Sequence, residues 1–257
     1  MRILILGGTT EASELARLVS CDKRFAPILS LAGRTVSPVL PPVPHRIGGF
    51  GGAEGLVGWL TAERIDAIVD ATHPFATQIS GNTVIAARTV NLPLLSIVRP
   101  PWEAVSGDRW TQVGSIEAAA AAIGTQPARV FLTVGRLELA AFRAAPHHTY
   151  LIRTIDPPDP DVLPPQTELL FARGPFKEQD ERSILGDRAI DVVVTKNSGG
   201  QATYGKIAAA RAIGLPVIVV ERPPKATGDL VTDPVSALQW LTTLRLAHEG
   251  ESSERGV

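Results

Sequence analysis

The chain has 257 residues, of which 44% are hydrophobic and 20% charged, with a formal net charge of -1. That balance belongs to a folded α/β protein and excludes a disordered or fibrous one, and the missing basic field leaves nucleic-acid binding without its usual driving force. Cys21 is the single cysteine, so an intrachain disulfide and a thiolate zinc set are excluded and a reducing cytoplasm is expected.

The opening MRILILGG is too short for a leader and runs into a glycine turn, so it predicts a first strand over Arg2–Leu6. No later stretch approaches the roughly 20 apolar residues of a spanning helix, so no membrane partner is expected. Further strands are predicted over Ala26–Leu31, Ala67–Asp70 and Leu94–Val98, with helices over Glu11–Ser20, Ala53–Ala62 and Phe75–Val90. The second half predicts strands over Arg129–Thr133, Thr149–Thr154, Glu168–Ala172, Asp191–Thr195 and Val217–Val220, and helices near Ser115–Ile123, Lys177–Leu185, Thr203–Ile213 and Pro234–Ala247. Alternation of this kind implies two Rossmann-like, doubly wound parallel-sheet domains with a cleft between them. The expected bounds are residues 1–114 and 115–247, followed by a frayed polar tail over 248–257. An internal repeat supports the pairing: IDAIVDATHPF with AAR, LP and RPP after it matches IDVVVTKNSGG with the same sequels, and Arg88, Pro93 and Arg99 precede Arg211, Pro216 and Arg222 by 123 positions each. The five histidines lack metal-ligand spacing, and adjacent His147 and His148 should diverge on a strand, so no metal is expected.

Gly7, Gly8, Thr9 and Thr10 lie between a strand and a helix, where backbone N–H groups and the helix dipole favour a pyrophosphate. The spacing departs from G-x-G-x-x-G, because Glu11 and Ala12 stand where the third glycine would come. After the second strand the chain supplies Arg34 and Thr35 and no acid, the choice suited to the 2′-phosphate of NADPH. Gly49, within GGFGG, is either a second cofactor contact or part of a hinge before the next helix. Asp70, Ala71, Thr72, His73 and Phe75 follow the next strand, where ligands of open sheets bind; Pro74 is expected at the first helical position, with Thr72 or His73 as the cap. In the second half Arg136, Arg153, Arg173 with Gly174, and Lys196 with Asn197, Ser198, Gly199 and Gly200 all fall at strand ends, a rim suited to a ligand with several carboxylates. Tyr204 and Lys206 are spaced Y-x-K, which puts them on different helical faces and argues against a short-chain dehydrogenase.

LGGTTEA, DATHPFA, RPPW, GDRW, FLTVGR, RGPF and VTKNSGGQATYGKIAAAR, in this order along the chain, resemble the precorrin-6A reductase family of cobalamin biosynthesis. The resemblance implies an oxidoreductase that moves a hydride from NADPH to a C=C bond of precorrin-6A, giving precorrin-6B. The substrate's acetate and propionate groups would account for the cationic rim, and Lys196, Tyr204 or His73 would be the proton donor, unless water serves. Hand-over to other corrin-pathway enzymes is a further expectation. Alternatives are the cobalt-containing substrate of the oxygen-independent branch, a non-catalytic NADPH-binding sensor, and an S-adenosylmethionine-dependent methyltransferase, against which Arg34 argues.

Overall fold

The computed structural model describes residues 1–33 and 38–254, apart from the side chains from 248 onward. The elements in chain order are β1 (Arg2–Leu6), α1 (Thr10–Ser20), β2 (Ala26–Leu31), β3 (His45–Ile47), α2 (Gly52–Ala62), β4 (Ala67–Asp70), α3 (Thr77–Thr89), β5 (Leu94–Ile97), β6 (Arg109–Val113) and α4 (Ile116–Ala122). They continue with β7 (Arg129–Thr133), β8 (Thr149–Thr154), β9 (Thr167–Phe171), α5 (Glu178–Asp187), β10 (Val192–Lys196), α6 (Gly205–Ala212), β11 (Pro216–Val220), β12 (Asp229–Val231) and α7 (Pro234–Glu254). A 3-10 helix over Arg136–Ala144 takes the place of an α-helix after β7. Among the described residues no helix is long and apolar enough to cross a membrane.

Two six-stranded, wholly parallel sheets result, ordered β12-β5-β4-β1-β2-β3 and β6-β11-β10-β7-β8-β9. In the first, β1 sends Ile3 and Ile5 to a core closed by α1 and by Ala237 and Leu241 of α7. Leu4 and Leu6 go to the opposite core, under α2 and α3. A strand buried on both faces needs an unbroken apolar run, and ILIL after Arg2 is one. In the second sheet Phe131, Leu151 and Val193 pack with Ile207 and Ala209 of α6.

The division of the chain differs from the expected one. One compact unit is Met1–Arg99 together with the chain from Pro224 onward; the other is Pro100–Pro223. β6, expected in the first domain, pairs with β11, and β12 pairs with β5. Strand pairing and not chain order thus sets the boundary. α7 also runs to Glu254, past the expected start of a frayed tail. His147 and His148 precede β8 and do not diverge: their rings lie 4.0 Å apart and both approach the Gly124 carbonyl.

Candidate functional site

The β1–α1 turn is shaped by its glycines. A Cβ on Gly7 would lie 2.7 Å from Leu29 Cδ1, while Gly8 has φ 108 with open space around it. Thr9 caps α1, accepting from Ala12 N at 3.1 Å and donating to Ala71 O at 2.6 Å, so one hydroxyl joins the ends of β1 and β4. The N–H groups of Gly8, Thr10 and Glu11 meet no acceptor among the described residues. With the helix dipole behind them they suit the phosphates of a dinucleotide, which the open space at Gly8 would admit. Arg99 Nη1 donates to Glu11 Oε2 at 2.6 Å beside the same turn, and both line a small hollow with Thr9, Thr72 and Pro74. Arg34 and Thr35 lie outside the described residues.

At the end of β4 the structure corrects the expected roles. α3 starts at Thr77 with Ala76 as an N-cap that offers no side chain, so neither Thr72 nor His73 caps it and Pro74 precedes it. Asp70 is buried, and its carboxylate accepts from Thr72 N at 3.0 Å, Thr72 Oγ1 at 2.6 Å and Ser80 Oγ at 2.6 Å. Lys225 Nζ lies 3.4 Å from Asp70 Oδ2 and donates to Thr72 Oγ1 at 3.1 Å. Asp70 and Lys225 therefore hold the start of the Ala71–Phe75 loop. The N–H of Phe75 donates to His73 Nδ1 at 3.3 Å, which puts the neutral ring's proton on Nε2. Gly49 contributes its carbonyl to Arg46 Nη2 at 2.9 Å.

In the second unit Arg136, Arg173 and Lys196 stand at the carboxyl edge of the sheet, after β7, after β9 and at the end of β10. Arg153 does not: it is buried, pairs with Glu181 and stacks over Phe176 at 3.7 Å. In a strand it shares the face of Leu151, which here points to the core. Lys196 Nζ donates to Glu138 Oε1 at 2.8 Å while Glu138 Oε2 accepts from Gly135 N at 2.7 Å, so a carboxylate of the chain itself covers the turn equivalent to Gly7-Gly8. The Asn197–Gly200 turn is a scaffold and not a nest opening α6. Asn197 exchanges hydrogen bonds with the Trp102 backbone at 2.8 and 2.9 Å, Gly200 O accepts from Trp102 Nε1 at 2.9 Å, and α6 begins only at Gly205. Ser198 lies within that turn, Gly174 follows β9, and Tyr204 Oη accepts from Arg211 Nη1 at 3.0 Å.

The sequence model of the family described as precorrin-6x reductase CbiJ/CobK matches residues 2–242. The chain belongs to that family. Within it, the precorrin-6A reductase of Sinorhizobium sp is 53% identical over 221 residues, 86% of this chain and 85% of its own. The solved structure of a CobK precorrin-6A reductase superposes with a TM-score of 0.90 at 46% identity, covering 95% of this chain and 97% of its own. A cobalt-precorrin-6A reductase of Salmonella typhimurium is 29% identical over 264 residues, 95% and 98% of the two chains.

For a CbiJ/CobK chain, the residues that sequence reasoning passed over are Arg46, Glu138, Glu181 and Lys225. Each has a partner at least 16 positions away, although Arg46 also bonds Gly48 and Gly49 and Glu138 the nearby Gly135 N–H.

Proposed function

We propose that this chain transfers a hydride from NADPH to one carbon of a C=C bond of precorrin-6A, with a proton added at the neighbouring carbon, to give precorrin-6B and NADP⁺ in the cytoplasm. The observation that carries the reading is the β1–α1 turn, where Gly7, Gly8 and the Thr9 cap leave three N–H groups directed outward at a helix start. NADPH supplies the hydride; the chain's part is to bind and orient. The turn takes the pyrophosphate, Arg34 and Thr35 the 2′-phosphate, and the loop from Ala71 to Phe75 the nicotinamide end, held in place by Asp70 and Lys225.

Arg136, Arg173 and Lys196 pair with the acetate and propionate groups of the tetrapyrrole. The proton-donor candidates are His73, Lys196, whose Nζ donates to Glu138, and Tyr204, whose Oη accepts from Arg211 and so keeps its own proton to give. Identity of 53% to a precorrin-6A reductase against 29% to a cobalt-precorrin-6A reductase favours the metal-free substrate.

The test is anaerobic incubation of the protein with NADPH and precorrin-6A, following the nicotinamide absorbance and the chromophore band together. Loss of NADPH in step with the chromophore change is expected, and Arg34→Ala should raise the KM for NADPH far more than that for NADH. NADPH binding without consumption would instead indicate a sensor.

A further inference from the structure

In a βαβ nucleotide unit the ribose 2′ position lies against the carboxyl end of the second strand. In this chain that place holds a second arginine. Arg46 of β3 is in register with Ser30 of β2, and Ser30 O accepts from Gly7 N at 2.9 Å, so the three residues adjoin the glycine turn. Arg46 Nη1 donates to Ser30 Oγ at 2.9 Å and to Gly48 O at 3.0 Å, and Nη2 donates to Gly49 O at 2.9 Å. The Phe50 ring covers one face of the guanidinium at 3.8 Å, with Trp59 further off at 5.6 Å.

Three of the five guanidinium N–H groups are thereby used. Nε–H and one N–H of Nη2 meet no acceptor among the described residues, although the group is half-buried. Desolvation already holds the pKa of Arg46 below the ordinary arginine value, so an anion placed there would be welcome. The anchors matter as much as the charge: a guanidinium fixed on three acceptors and one ring loses little freedom when it binds a phosphate. The same anchors shape a loop in which Gly48, Gly51 and Gly52 have φ of 122, 80 and 89, a backbone that Arg46 holds from inside.

We propose that Arg46 is a specificity-determining residue for the cofactor, binding the 2′-phosphate through its remaining N–H groups while it fixes the glycine loop that follows β3. The inference rests on the reading of NADPH as the hydride donor. It assigns to Arg46 a role that the sequence placed on Arg34 and Thr35.

Calorimetric titration of the full chain with 2′,5′-ADP and with 5′-AMP separates recognition from shape, because the two ligands differ only in the phosphate. Arg46→Met, which keeps an apolar stem on Phe50, should weaken 2′,5′-ADP at least about tenfold, the worth of charge-assisted hydrogen bonds, and leave 5′-AMP nearly unchanged. Arg46→Lys should recover only part of the loss, since an ammonium cannot span the anchors and the phosphate together. Equal losses for both ligands would reduce Arg46 to a loop brace, and no loss for either would remove it from the site. If the wild-type chain bound 2′,5′-ADP no better than 5′-AMP, the NADPH reading itself would fall, which is a different result. Should Arg46→Met not fold, the Arg46→Lys titration carries the same comparison.

Discussion

Lys206 shows how a residue's chemistry is set by its surroundings. It is 3% exposed, donates to Thr203 O at 3.0 Å and lies 5.1 Å from the Trp102 ring. Burial is the main cause that brings its pKa down to about 7, with Arg153 adding to the effect and Glu181 opposing it. The unfolded chain binds a proton at this lysine up to about pH 10.4, whereas the folded chain has released it above about pH 7. The unfolded state therefore holds the extra proton across that window, and stability rises with pH between those limits, by at most about 1.4 kcal/mol per pH unit. Denaturant unfolding at pH 7.5 and at pH 9.5 should show this gain in the wild type, and Lys206→Met should remove most of it. An unchanged pH slope in the variant would mean that the lysine keeps its proton inside the fold. The Arg153–Glu181 pair beside it was not visible in the sequence, because an arginine near a strand end reads the same whether it turns inward or outward.

Among the elements, the repeated β–α–β segments agree down to single hydrogen bonds. Arg2 N donates to Asp66 Oδ2 at 2.6 Å in the first unit and Arg129 N to Asp191 Oδ2 at 2.7 Å in the second. Arg64 and Ala189 both follow a helix with positive φ, at 52 and 46, as do Asn91 and Gly214 at 53 and 71. The two copies part at the turn after the central strand. In the second unit that turn holds Gly199 at φ 65, where an added Cβ would lie 2.2 Å from Pro100 O and 2.3 Å from Arg222 Nη2. Gly199→Ala should thus lower the melting temperature well beyond the usual roughly 1 kcal/mol of a glycine substitution, because strain in φ and a backbone clash act together. A melting curve matching the wild type would show that the turn can move aside. The strands that sequence reasoning missed, β3, β6 and β12, all lie at sheet edges. Their residues are mostly exposed or half-buried, so they lack the apolar runs by which β1, β4 and β10 announce themselves.

For the whole molecule, the decisive fact is that the first unit is built from two separate stretches of chain. Ala237 and Leu241 of α7 complete the core beside Ile3, Leu15 and Val69, and β12 supplies its sheet with an edge. A fragment of residues 1–99 should therefore lack a closed core and show no cooperative melt, whereas residues 100–223, contiguous and with both edges of their own sheet, should fold alone. Circular dichroism melts of the two fragments test this. A cooperative transition in the 1–99 fragment would mean that the first unit does not depend on the returning segment.

The α/β class, the central strands and most helices, the repeat, the glycine turn at Gly7-Gly8 and the family resemblance were legible in the residues alone, since all of these rest on short-range periodicity or on contiguous motifs. Tertiary structure decided which sheet each edge strand joins, that Arg153 turns into the core, that Asp70 and Lys225 brace the Thr72 loop, and that Glu138 covers the turn of the second unit. Those outcomes depend on partners far apart in the chain. A lone charge carries no sign of its partner until folding brings the two within a hydrogen bond.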